Sequence, residues 1–198
     1  MTNDLKTFLD NLSSDWDPIK IQTTKYFDRD SKIREDGAAQ IFRRPWVASQ
    51  NFGLLLFPPI VNDWLDIYKK NNARLIPKSY SDILLQMNGC FVYDFSLFGL
   101  PQSLYTTALL DRSKLQQFDI GTANRSWINE YEISEDYLYI GSRAYSSSEN
   151  IGYFIDSNTN ILSIRKNGQV LNNWTTFKDF LFEEIISAEN IMLADKRV

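Results

Sequence analysis

The amino-acid sequence predicts an α+β fold in which helices pack around an antiparallel sheet. Two amphipathic helical stretches follow each other over residues 60–71 and 78–88. Alternating apolar residues separated by turn signals fill residues 137–171, a pattern typical of strands joined by hairpins. A broad apolar helical face over residues 175–188 then closes the main unit, which we expect to span residues 58–190.

Residues 1–57 predict an extension packed on that main unit. Four apolar residues recur at helical spacing: Leu5, Phe8, Leu9 and Leu12. They indicate a helix that docks on the main domain, because an exposed stripe of that size would invite aggregation. Ile19, Ile21 and Thr23 alternate with polar neighbours and predict a short half-buried strand. Asp36-Gly37 indicates a hairpin, so we expect a helix plus a strand or hairpin.

The two helices of the main unit have clear limits. The first begins after Pro58-Pro59 with an apolar stripe at Val61, Trp64, Leu65 and Tyr68. Pro77 opens the second helix, where its fixed φ suits the first turn. Gly89 follows at a position where a left-handed residue commonly ends a helix.

Strand signals follow from residue 91 onward. Residues 91–100, 137–140, 151–155 and 161–164 are rich in apolar and aromatic side chains. Asn167-Gly168 is a strong hairpin signal, and the whole series predicts an antiparallel meander. Gly141 and Gly152 lie within strands and indicate bulges or close backbone approaches. The last helix begins at a capping box made by Thr176 and Asp179, and residues 191–198 predict a frayed tail.

Composition narrows the chemistry that the chain can support. The 198 residues include no histidine, which excludes Ser-His-Asp and Cys-His catalysis and histidine-based zinc sites. Cys90 is the single cysteine, so neither an intramolecular disulfide nor a Cys-x-x-Cys site is available. We therefore expect a protein that is not an enzyme and that uses neither a metal nor another cofactor.

Charge and hydropathy also limit the classes of partner that the chain can bind. The net charge of −4 argues against direct binding of nucleic acid, which requires a basic surface. The longest apolar run, residues 52–61, is too short to span a bilayer, and the first residues lack the features of a signal peptide. We therefore expect no membrane contact and a cytoplasmic location.

Several short motifs, in this order, resemble the SUKH superfamily. They begin with a Leu-x-Pro-x-x-Tyr helix start at residues 75–80, followed by Asn88-Gly89 and by Leu-x-Gly-Leu at residues 97–100. Ile140-Gly141, the strand at residues 152–156 and an aromatic C-terminal helix complete the match over about residues 58–187. The family-like positions, which we interpret as structural, are Pro77, Tyr80, Asn88, Gly89, Gly99, Gly152, Trp174 and Phe177. Cys90 stands where a second glycine is usual, and residues 1–57 have no counterpart.

The resemblance implies helices around a bent antiparallel sheet and a function in protein binding. It points first to an immunity protein that binds and neutralises a bacterial polymorphic toxin, a class that includes nucleases. The alternative is an intracellular adaptor or regulatory protein of the same fold with a cellular client. A third hypothesis, from a different class, is a carboxylate-dependent hydrolase.

The candidate partner-binding residues are the densest acidic group: Glu130, Glu132, Glu135 and Asp136. If the segment is a strand, Glu130 and Glu132 share one face. A solvated surface is the plainer interpretation, and acid–base chemistry or cation binding remains open. Residues 28–36 are a second acidic segment, whose spacing does not complete a calcium loop. Cys90 is expected to be a buried, inert thiol.

Overall fold

The computed structural model describes residues 1–48, 51–105, 117–146 and 149–195. Within these ranges the helices are α1 (Asn3–Asp10), α2 (Asp17–Tyr26), α3 (Asn62–Asn71), α4 (Lys78–Leu84), α5 (Gln102–Tyr105), α6 (Ile120–Arg125) and α7 (Phe177–Asp195). Short 3₁₀ turns lie at Ser14–Trp16 and Trp127–Glu130.

The strands form one antiparallel sheet in which each strand pairs with the next along the chain. They are β1 (Lys32–Ile33), β2 (Ala39–Arg43), β3 (Phe52–Leu56), β4 (Cys90–Val92), β5 (Phe95–Leu97), β6 (Leu138–Ser146), β7 (Glu149–Ile155), β8 (Ile161–Arg165) and β9 (Val170–Trp174). The predicted α+β class and the antiparallel sheet are confirmed.

The N-terminal residues contribute strands to the same sheet as the rest of the chain. β2 and β3 pair with each other, and β3 pairs with β4 through Leu54 opposite Val92. The predicted hairpin at Asp36-Gly37 joins β1 to β2, and Gly37 has a left-handed φ of 83°. The sheet therefore continues across residue 57, where the sequence suggested the end of an extension.

The strand predicted at Ile19, Ile21 and Thr23 is wrong, because these residues belong to α2. Pro18 lies in the first turn of that helix, where its missing N–H costs nothing. Ile19 and Thr23 are buried, whereas Ile21 is 56% exposed. The buried positions thus follow an i, i+4 spacing, and the apparent alternation came from one exposed isoleucine.

The predicted N-terminal helix is α1, and it is docked. Leu5, Leu9 and Leu12 are buried, and Thr2 caps the helix through its hydroxyl oxygen. The Ser13 N–H donates to the Gln86 side-chain oxygen at 2.8 Å, which ties the end of α1 to the segment after α4.

Two limits of the main unit differ in part from the predictions. α4 ends at Leu84, four residues earlier than expected, and Gly89, with φ of 81°, forms the turn into β4. α7 continues to Asp195, so a frayed tail from residue 191 is wrong as far as 195. Burial of Met192 explains the longer helix, since its last turns pack on the protein. Residues 196–198 lie outside the described residues.

The hairpin prediction and the prediction for Gly141 hold, whereas Gly152 lies against the rings of Phe154 and Tyr131 and not against backbone. Gly168 has a φ of 78°, and the Arg165 N–H donates to the Gln169 carbonyl across the turn from β8 to β9. The register of β6 shifts between Tyr139 and Gly141, where an added side chain would overlap the Ser96 carbonyl oxygen.

The sheet has two differently covered faces. On one face, Phe95 and Tyr153 pack on Phe180 of α7, at ring-centroid distances of 5.8 and 5.0 Å. The next residue along β7, Phe154, points to the other face because side chains alternate along a strand. There it stacks on Tyr139 at 4.7 Å and meets Tyr131 at 5.1 Å. We call this second side the aromatic face.

Candidate functional site

The four predicted partner-binding carboxylates lie on one exposed segment at the border of the aromatic face. We call residues 130–136 the acidic loop. It starts at the end of the 3₁₀ turn Trp127–Glu130 and forms no strand, so the strand that would place Glu130 and Glu132 on one face is absent. Glu130, Glu132, Glu135 and Asp136 are all exposed, while Tyr131 between them is buried.

Hydrogen bonds to main-chain atoms hold the acidic loop in place. The Glu132 N–H donates to the Lys166 carbonyl oxygen at 3.0 Å, which joins the loop to the β8–β9 hairpin. The Arg74 guanidinium donates from Nε to the Glu135 and Tyr137 carbonyls at 3.2 and 3.1 Å. Because these bonds use main-chain atoms, the carboxylates of the loop project from a fixed frame.

Within the described residues, the one ion pair of the acidic loop joins Glu130 to Lys166. Lys166 Nζ lies 2.6 Å from Glu130 Oε2, and both side chains are about half exposed. The hydrogen bond to Glu130 raises the pKa of Lys166 above its ordinary value. An ion pair this exposed contributes little to folding, since water solvates both partners well.

A cleft of about 280 Å³ opens beside Glu130 on the aromatic face. Its lining residues are Phe118, Trp127, Glu130, Tyr131, Tyr139, Ser142 and Asn150. Phe118 is 44% exposed, so part of its ring is open to a partner. We call this feature the aromatic cleft.

The rings around the aromatic cleft support one another. Phe118 and Trp127 meet edge to face at 5.7 Å with an interplanar angle of 88°. Phe98, which is fully buried, contacts Phe118 at 5.9 Å and Trp127 at 5.7 Å in the same manner. Edge-to-face contacts of this kind favour fixed ring orientations, so the cleft exists before any partner arrives.

The second acidic segment, residues 28–36, uses its carboxylates locally. Asp28 accepts from the Ser31 hydroxyl at 2.7 Å and from the Arg43 N–H at 3.1 Å. Asp30 pairs with Arg43 at 3.8 Å, and Asp36 accepts from Arg34 Nε at 3.2 Å. These bonds fix the β1–β2 region and leave this segment less negative than its composition suggests.

The family-like residues of the first half touch the protein's own backbone. The Pro77 carbonyl accepts from the N–H groups of the first turn of α4. The buried Tyr80 hydroxyl lies 2.8 Å from the Phe98 carbonyl, to which it donates. The Asn88 side chain donates to the Leu100 carbonyl at 2.9 Å and accepts from the Leu100 N–H at 2.7 Å. Gly99 lies directly beneath Asn88, where any side chain would overlap its carbonyl oxygen.

The remaining family-like residues pack rings. A side chain at Gly152 would overlap the rings of Phe154 and Tyr131, so this glycine makes room for the aromatic face. Trp174 donates from its indole N–H to Glu183 at 2.8 Å. Phe177 meets Trp16 edge to face at 5.3 Å.

Two clusters of charged residues around buried carboxylates of α7 are not indicated by the sequence. Arg143 is 1% exposed and pairs with Asp94 at 2.9 Å and with Glu184 at 3.0 Å, while the Tyr153 hydroxyl also donates to Glu184. Glu189 accepts from Lys25 at 2.6 Å, from Gln22 at 2.9 Å and from the Tyr26 hydroxyl. Both clusters join α7 to distant segments, and no local sequence pattern marks such pairs.

The described residues offer neither a reactive thiol nor a metal site as an alternative. Cys90 is fully buried, and burial raises the pKa of its thiol to about 12, as expected of an inert cysteine. Within residues 1–48, 51–105, 117–146 and 149–195, no group of three or more Cys, Asp or Glu residues is placed to hold a metal ion. In the part of the chain that the structure describes, no helix combines the length and the apolar character needed to cross a bilayer.

Comparison with protein-family models, with curated proteins and with solved structures found no match.

Proposed function

We propose that this chain is a non-catalytic protein-binding domain whose partner is a basic protein. The observation that carries the proposal is the position of the acidic loop beside the aromatic cleft. Protein interfaces commonly combine a central aromatic anchor region with a polar rim that water reaches. Here the cleft supplies the rings, and four exposed carboxylates supply the rim.

The fixed backbone of the acidic loop supports a role in binding. A loop that is already ordered loses little conformational freedom when a partner docks, so more of the contact energy appears as affinity. The hydrogen bonds that Arg74 donates, and the one that the Lys166 carbonyl accepts from the Glu132 N–H, supply that order. The exposed carboxylates of Glu132, Glu135 and Asp136 would then steer a positively charged surface towards the cleft.

The identity of the partner rests on the SUKH resemblance. Its motifs make a bacterial toxin domain the partner that we propose first, with the chain acting as an immunity protein. A nuclease toxin is the best fit to an acidic surface, because a nuclease needs basic residues to hold its phosphate backbone. Such a protein blocks the toxin by covering it, so shape and charge are sufficient.

Co-expression with the toxin candidate encoded by the adjacent gene tests this proposal. The wild-type chain should protect the host and co-purify with the toxin domain. Charge reversal by Glu132→Lys with Glu135→Lys should weaken binding at least tenfold and reduce protection, because rim charges act mainly on recognition. A matched control, Asp10→Lys with Asp66→Lys, reverses two exposed charges on α1 and α3 and should protect normally.

Two results would count against the proposal. Full protection by the Glu132→Lys/Glu135→Lys variant would show that the acidic loop is not part of the interface. Absence of binding to any neighbouring gene product, together with capture of one cellular protein that needs the same carboxylates, would favour the adaptor alternative.

A further inference from the structure

We propose that the aromatic cleft receives the guanidinium group of an arginine side chain presented by the partner. This inference rests on the proposed function, and it names the chemical group that anchors the partner. An arginine combines a flat face that stacks on rings with N–H donors that match a carboxylate. The cleft offers both counterparts within one small volume.

The residues that line the cleft favour a cation. Four of the seven are aromatic, one is the carboxylate of Glu130, and the other two, Ser142 and Asn150, are neutral and polar. The described lining contains no lysine or arginine that would repel a positive group. Ring faces carry a partial negative charge and attract a cation that lies within about 6 Å of the ring centre.

The size of the cleft is sufficient for a single side chain. Pockets for drug-sized molecules commonly range from about 300 to 1,000 Å³. The cleft, at about 280 Å³, lies just below that range. A phosphate-bearing ligand is also disfavoured, because the carboxylate of Glu130 and the nearby acidic loop would repel it.

A cation already stands at the rim of the cleft, and it can be replaced. Lys166 Nζ lies 2.6 Å from Glu130 Oε2, so the protein satisfies this carboxylate with its own ammonium group when no partner is bound. Because both side chains are about half exposed, exchanging Lys166 for another cation leaves the lysine free to return to water. The arrangement makes Lys166 an internal competitor for the site.

The neighbouring hydrogen bonds keep the floor of the cleft rigid. The hydroxyl groups of Tyr131 and Tyr139 lie 3.2 Å apart, and the Ser142 carbonyl accepts from the Ser96 hydroxyl at 3.0 Å. Tyr139 also stacks on Phe154. A guanidinium group would therefore meet surfaces that need no rearrangement, which reduces the entropic cost of binding.

The test uses the full chain and a small probe, N-acetyl-L-arginine methylamide, followed by NMR of the tryptophan indole N–H signals. The Trp127 signal, assigned with Trp127→Phe, should shift saturably at millimolar probe, a range typical of one isolated contact group. The citrulline analogue has nearly the same shape but no charge, and it should bind at least fivefold more weakly.

Three variants sharpen the test. Glu130→Gln should weaken binding of the arginine probe severalfold, because it removes the carboxylate from the rim. Lys166→Ala should strengthen binding, because it removes the internal competitor. Asp66→Asn, which neutralises an exposed carboxylate on α3 outside the acidic loop and the cleft lining, should leave binding unchanged.

Equal binding of arginine and citrulline probes, or no shift of the Trp127 signal, would overturn the inference. The outcome is separable from the proposed function because the probe is measured without any partner. If the probe fails while the wild-type chain still protects against the toxin, the arginine anchor is wrong and the binding function remains. If the probe binds while protection fails, the cleft is a cation site and the proposed toxin partner is wrong.

Discussion

At the scale of single residues, buried charged side chains form specific ion pairs. Arg143 connects β6 to Asp94 and to Glu184 of α7, and Glu189 connects α7 to Lys25 of α2. Removing Glu184 leaves Arg143 buried and poorly solvated, which costs more than the pair contributes. These residues are consequently better explained by the attachment of α7 than by catalysis.

Glu189 gives the stability of the fold a predicted pH dependence. Burial acts to raise the pKa of this carboxyl, but hydrogen bonds from Lys25, Tyr26 and Gln22 together outweigh burial and hold the pKa below its ordinary value of 4.5. A carboxyl that binds its proton less readily in the folded state stabilises that state at pH above 4.5. This contribution is lost as the pH falls through the lowered pKa.

We expect Glu189→Gln to lower the free energy of unfolding at pH 7 by about 1–2 kcal/mol, a value reduced by the half-exposed position of Lys25. The loss should shrink as the pH falls below 4.5, where the wild-type carboxyl also takes up a proton. Urea unfolding at a series of pH values measures both effects. Glu135→Gln, on the exposed acidic loop, is the control, and a pH-independent difference would contradict this account.

At the scale of secondary-structure elements, short sequence motifs correctly predicted two hairpins and a helix cap, which depend on neighbouring residues. Asp36-Gly37 and Asn167-Gly168 marked real hairpins, and Thr176 and Asp179 do form a helix cap, with the Asp179 N–H donating to the threonine oxygen at 3.1 Å. α2 was missed because Ile21 is an exposed isoleucine, so hydrophobicity alone gave a period of two. Only tertiary packing shows which of these residues are buried.

The docking of α1 yields a prediction at the same scale. Leu9 is 5% exposed, and Leu9→Ala should lower the free energy of unfolding by about 2–4 kcal/mol, because it leaves a cavity beneath the helix. Ile21→Ala is a matched control on α2, since Ile21 is 56% exposed and its truncation should change stability by no more than about 0.5 kcal/mol. Thermal melts of both variants decide the matter. Deletion of residues 1–14 should also lower the melting temperature, and similar melting of wild type, Leu9→Ala and the truncated chain would refute the docking of α1.

The candidate site was only half visible in the sequence. The acidic loop could be found because its four carboxylates lie within seven positions of one another, and composition alone indicates an exposed segment. The aromatic cleft could not, because Phe118, Trp127 and Tyr139 are brought together by the 3₁₀ turn and by β6. The high aromatic content, 14%, was the available signal, but the same content also fits a large aromatic core.

At the scale of the whole molecule, one sheet carries two differently used faces. The Glu189 cluster joins α2 to α7, and Glu184 of α7 pairs with Arg143 of the sheet. The opposite face bears the aromatic cleft, with the acidic loop at its border. This division separates the part of the protein that maintains the fold from the part that we propose to bind a partner.

The association rate with the toxin domain, measured by stopped flow over a salt series, tests the central claim most directly. The Debye screening length shortens from about 10 Å at 0.1 M salt to about 3 Å at 1 M, so electrostatic steering should weaken over this range. We expect the wild-type rate to fall at least tenfold, and the rate of Glu132→Lys/Glu135→Lys to be low at 0.1 M and nearly independent of salt. A wild-type rate that is equal at both salt concentrations, or a variant that associates as fast as wild type at 0.1 M, would contradict the claim that the acidic loop recognises a basic partner.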